Sequence, residues 1–219
     1  MQLLHIHNLV SVPLRSASFR ATEKLQLVIR QAGYQALFAV HVGYSIPWFD
    51  AQGQHKNPKL ASRTDRHAFD QYLDRVRTRL NTTPLPLFIF QEERDQWKNP
   101  HSIEDTARWL TAQGIAPISP LVIYVPTKTN NPWPVWPFKT KETEAWGILG
   151  DVMLKLGILG ATIIGEECTT LDPDLTNPPL LYDRCVGIAW SELSALIGGP
   201  ARTVVEQTLT YPNLPEIPA

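Results

Sequence analysis

The feature that most constrains this chain is a set of short segments, apolar from end to end, each separated from the next by a stretch with helical spacing. Tyr34 to Tyr44, Leu85 to Phe90, Leu121 to Val125 and Ala161 to Ile164 have no polar face. They are too short and too continuous for amphipathic helices, so they predict strands buried on both faces. Leu3 to Val10, with His5 and His7, predicts a further strand, and Arg202 to Tyr211 a last one. A sheet covered on both faces by intervening helices is built from parallel strands with right-handed crossovers.

The helical stretches carry their own signals. In Asp65 to Leu80 the residues Phe69, Tyr72, Leu73, Val76 and Leu80 repeat at helical spacing with Arg75, Arg77 and Arg79 among them, which predicts an amphipathic surface helix. Ser102-Ile-Glu-Asp is a capped helix start whose helix closes at Gly114, and a pattern from about Ala21 to Gln31 stops at Gly33. Lys141 to Leu156, ended by Gly157, and Tyr182 to Leu196 complete the set. The expected fold class is α/β: one three-layer α/β/α domain over residues 1–211, with a mainly parallel sheet of about five or six strands. Residues 212–219, rich in proline, are expected to form a C-terminal tail.

Composition excludes several functions. At 219 residues, with 43% hydrophobic and 19% charged residues, the chain is long enough for a substantial core. A formal net charge of −1 provides no global field for a polyanion, which argues against general nucleic-acid binding. Two cysteines, Cys168 and Cys185, make no disulfide framework, and no apolar stretch approaches the length of a membrane span. A cytoplasmic protein without membrane contact is the expectation. Many of the 19 prolines and seven tryptophans fall in connections, above all in Asn130-Asn-Pro-Trp-Pro-Val-Trp-Pro137.

In open parallel sheets, ligands bind outside the carboxyl ends of the strands. The residues expected there are His41 and Tyr44 after the second strand, Glu92 and Glu93 after the third, Lys128 after the fourth, and Glu166 and Glu167 after the fifth. Two acidic pairs on neighbouring strands would raise one another's pKa, supplying an acid and a base, or would hold Mg²⁺. Separated by more than about 12 Å they could share neither a proton nor a metal. The same acids equally serve to cap the next helices or to pair with surface cations. Lys128 and the basic stretch Lys56, Lys59, Arg63 and Arg66 are candidate anion contacts, and Trp133 or Trp136 could stack on a planar ligand. His5 and His7 alternate on one strand without a further ligand nearby, so no metal site is assigned and no cofactor is named.

Among nucleophiles, Cys168 follows two glutamates that would hold its thiol protonated. Cys185 opens a helix, where the dipole favours a thiolate, and is the better candidate. Free cysteine at such a position also serves as a small apolar core residue. The segment Asp183-Arg-Cys-Val-Gly-Ile-Ala189 resembles the isochorismatase-like cysteine hydrolases, which set a Cys-Val pair at a helix start after a parallel strand and a lysine after an earlier strand. Lys128 matches that lysine. The chain departs from the pattern in the long loop before Cys185, and in lacking an aspartate at the end of the first strand, where Ser11 stands.

Phosphate-binding glycine loops, a Gly-x-Ser-x-Gly elbow, His-Glu-x-x-His and Cys-x-x-Cys are all missing from the sequence. Three functions stay open. One is a hydrolase or transferase for a small polar, nucleotide-like substrate, using Glu92, Glu93, Glu166, Glu167 or Cys185. Another is a binding or sensor module that holds such a ligand through His41, Tyr44, Arg63, Lys128 and Trp133. The last is a scaffold or subunit, homo-oligomers included.

Overall fold

A computed structural model describes residues 3–5, 26–42, 52, 66–92, 103–119, 121–127, 143–168 and 185–212. Six strands, β1 (Leu3–His5), β2 (Gln35–Val40), β3 (Leu87–Glu92), β4 (Val122–Thr127), β5 (Gly160–Cys168) and β6 (Thr203–Pro212), form one sheet in the order β1-β4-β3-β2-β5-β6. Every adjacent pair is parallel. Around it lie α1 (helical residues 26–31), α2 (Arg66–Thr82), α3 (Ile103–Ala112), α4 (Thr143–Leu156) and α5 (Cys185–Leu196). This is the three-layer α/β/α arrangement that the unbroken apolar strands predict.

The layers follow from side-chain alternation along the strands. Ala36, Phe38 and Val40 of β2, with Phe88 and Phe90 of β3, pack against Ile29 of α1, Leu149, Val152 and Met153 of α4, and Val186, Ala189 and Leu193 of α5. Phe38 stacks on Phe88 with ring centroids 4.7 Å apart, which ties the two strands together on this face. The intervening residues Leu37, Ala39, Leu87 and Ile89 face the other way, onto the α2 stripe Phe69, Tyr72, Leu73, Val76 and Leu80 and onto Leu110 of α3. Both surfaces of the central strands are therefore dry, which is why no polar alternation marks them.

The chain winds from β2 to β3 and β4 with α2 and α3 on one face, then crosses back to β5 and β6 with α4 and α5 on the other. The direction of winding reverses between β2 and β5.

Local polar contacts seat the helices. Arg66 bridges Asp70 one turn on, at 2.8 Å, and Arg77 pairs with Asp74. At the end of α2, Asn81 donates to the carbonyl of Gly114 and accepts from the amide of Ala116, so one side-chain amide pins the turn that leads from α3 toward β4. Helix α4 closes with the amide of Ile158 donating to Met153 O at 2.9 Å. Among the described residues no helix is long and apolar enough to cross a membrane.

Arg79 of α2 reaches Glu206 of β6 at 3.4 Å, both side chains about one-third exposed. A pair this wet contributes little. Arg79→Ala is expected to lower stability by no more than about 1 kcal/mol, with the loss shrinking in 1 M NaCl, as read from urea unfolding at both salt concentrations.

Candidate functional site

The strands run further than their apolar cores. β3 continues through Gln91 and Glu92, which pair with Pro126 and Thr127 of β4, and β5 continues through Glu166, Glu167 and Cys168, with Glu166 opposite Tyr211 and Cys168 opposite Pro212. These polar residues, expected just past the strands, are part of them, because the ladder is made by backbone groups whatever the side chain. β2 behaves in the opposite way. It stops at Val40, short of Tyr44, because His41 turns into the left-handed region at φ 48°. Histidine tolerates that region better than most residues.

The centre of the carboxyl edge is built on Val40, which pairs with Phe90 on one side and with Gly165 on the other. His41 follows directly, its amide donating to Phe90 O at 3.1 Å. Glu166 stands one residue past Gly165 and Glu92 two past Phe90. The two acidic strand ends thus flank β2, with backbones about 10 Å apart across two strand spacings, and His41 lies between them. They are not neighbours in the sheet.

Burial separates the roles open to them. Glu166 is fully buried and His41 nearly so, at 0% and 1% exposure. Desolvation lowers the His41 pKa to about 3, so the ring is neutral at physiological pH. Tyr72, from the apolar face of α2, is also buried; burial pushes its pKa well above the usual value, the negative charge of Glu166 adds to this, and Arg75 opposes it. The Tyr72 hydroxyl and the Glu166 carboxylate therefore share one electrostatic environment on the α2 side of the sheet.

Gly165 makes this arrangement possible. Its φ is 143°, and a Cβ built there would lie 2.0 Å from the carbonyl oxygen of Val40. The β5–β6 register shifts just before it, Ile163 pairing with Val205 but Gly165 with Thr210. The extra residues of that irregularity lie in β6.

The remaining candidates are distributed as follows. Glu92, Glu167 and Cys168 lie on strand backbone and Cys185 is the first residue of α5. Their side chains are not among those described. Tyr44, Arg63, Glu93, Lys128, Trp133 and Trp136 lie outside the described residues, as does His7. Among the described residues no three His, Cys, Asp or Glu side chains gather in a manner suited to a metal ion.

Two contributors were not legible from sequence as site residues. Tyr72 looks like one more member of the apolar stripe of α2, and Gly165 like an ordinary residue at the end of a strand. The signal for the second was present in the Gly-Glu-Glu run itself, since a glycine within an apolar strand often marks a bulge or a close backbone approach. Neither a family model, nor a curated protein, nor a solved structure matches the chain.

Proposed function

We propose that the chain binds a small polar, anionic ligand of nucleotide-like character in the crevice between the carboxyl ends of β2 and β5, and acts on it as a hydrolase or transferase. The observation that carries this reading is the reversal of winding at that point. The helices that follow β2 and β5 pack on opposite faces of the sheet, and in doubly wound sheets ligands bind at such a switch point. Helices α2 and α5 follow those strands, and N-terminal amides directed at this edge favour an anion. Lys128, next in sequence after β4, and Arg63, shortly before α2, are the candidate cations for that anion.

In this reading Glu166 takes or returns the proton, and the neutral His41 ring donates a hydrogen bond rather than accepting a proton. Glu92, Glu93 and Glu167 are the alternative carboxylates, Cys185 the alternative nucleophile, and Tyr44 and Trp133 further contacts to the ligand.

A panel of nucleoside phosphates and sugar phosphates, screened by thermal shift and then by ³¹P NMR for turnover, tests the reading. Glu166→Gln is expected to slow turnover about 100-fold or more while leaving ligand stabilisation in place. Unchanged turnover removes Glu166 from the chemistry, and absence of any stabilised ligand sinks the proposal.

The burial of both His41 and Glu166 favours a second reading, in which the crevice holds its ligand intact and the buried pair only shapes the edge. Tight binding with the ligand recovered unchanged from the wild-type protein is the result that selects it.

A further inference from the structure

The pole of the sheet opposite the crevice carries a group of large apolar side chains left in water: Leu154 at 81% exposure, Leu27 at 53%, Leu159 at 51%, Leu196 at 40% and Tyr34 at 39%. They are scattered in sequence but joined in space. Helices α1 and α4 lie on the same face and lead into the adjacent strands β2 and β5, so their carboxyl ends meet at the amino edge of the sheet. The side chain of Gln26 donates to Lys155 O, which brings Leu27 beside the last turn of α4. The amide of Leu159 donates to Tyr34 O at 2.9 Å, and the Tyr34 ring lies 3.8 Å from the Cβ position of Gly157. Leu196 of α5 lies against Gly150, one helical turn before Leu154.

We propose that a second copy of this chain docks on this face, about a two-fold axis that crosses α4. The charge pattern selects this occupant. The exposed stripe of α4 is Asp151, Leu154 and Lys155, one acid and one base a helical turn apart around the most exposed leucine. An axis midway between Asp151 and Lys155 runs the two α4 helices antiparallel. Asp151 of each copy then lies beside the partner's Lys155, and the leucines meet between them. An isologous contact must be self-complementary, and a stripe carrying a single sign of charge would repel its own copy. Contiguous exposed apolar surface rimmed by polar groups is the usual mark of such a contact. Docking at this pole leaves both crevices open at the far ends of the dimer.

Sedimentation velocity on the full-length chain from 1 to 100 µM is expected to show a reversible dimer. Leu154→Glu, at a position too exposed to matter for folding, is expected to weaken association at least tenfold with an unchanged thermal midpoint. Asp151→Lys is expected to weaken it through like charge, and the exchange Asp151→Lys with Lys155→Asp to restore it. A wild-type chain that stays monomeric at 100 µM overturns the proposal, as does a dimer indifferent to Leu154→Glu. A monomer that floats with phosphatidylcholine vesicles overturns it in favour of a lipid surface.

Discussion

Gly165→Ala is expected to destabilise the fold by about 3–5 kcal/mol, combining backbone strain with steric overlap. Two independent terms add. At φ 143° an L side chain is strained even in open space, and here the new methyl carbon would also sit 2.0 Å from Val40 O, 2.8 Å from its carbonyl carbon and 2.9 Å from its nitrogen. Backbone atoms cannot rotate away as a side-chain tip can. Val40 itself is fully buried and paired on both sides, so β2 has no direction in which to yield.

Gly199→Ala separates the two terms, since Gly199 has a comparable φ of 135° with no atom within 4 Å of its Cβ position. Urea unfolding of both variants should show Gly199→Ala losing only the strain part. Equal losses in the two would mean that β5 slides past β2 at little cost. A Gly165→Ala chain recovered only as aggregate, beside a well-behaved Gly199→Ala, meets the expectation.

Acid should weaken this protein through His41 well before the ordinary carboxylates are titrated. The ring is neutral when folded because burial lowers its pKa to about 3, against 6.5 for an exposed histidine. Between those values the unfolded chain binds a proton that the folded chain refuses. Stability is therefore complete above pH 6.5 and declines as pH falls, at about 1.4 kcal/mol per pH unit. Down to pH 3 the loss reaches about 5 kcal/mol, comparable to the whole stability of a marginal domain.

His41→Asn isolates the effect, because asparagine accepts the left-handed backbone and does not titrate. Urea midpoints measured from pH 7 to pH 4 should fall more steeply in the wild type than in the variant. Parallel profiles would show that the His41 ring reaches water in the folded state. The comparison also removes the contribution of carboxylates, which both proteins share.

These two residues illustrate how far the sequence reaches. The apolar runs around Phe38, Phe88, Ile123 and Ile163 declare buried parallel strands because nothing else accommodates a segment with no wet face. The stripe from Phe69 to Leu80 declares the helix packed on them. Strand ends were less legible. Glu92 and Glu166 are polar yet remain in the ladder, whereas the apolar pattern of β2 runs on in sequence past Val40, yet the strand ends before His41. Polarity reports burial, while pairing is decided by backbone geometry.

Fold class, the order of strands and helices, and the list of polar residues near the carboxyl ends were determined by local periodicity and residue type, which act over a few residues of chain. Tertiary structure alone decided that β2 stands between β3 and β5, so that the two acidic strand ends flank His41 rather than meet. It also decided that Glu166 and Tyr72, far apart in sequence, share a buried environment. Both outcomes depend on which crossover turns back over the sheet. Right-handed connections permit either side for β5, and no single segment encodes the choice; it emerges from how the two helical layers pack.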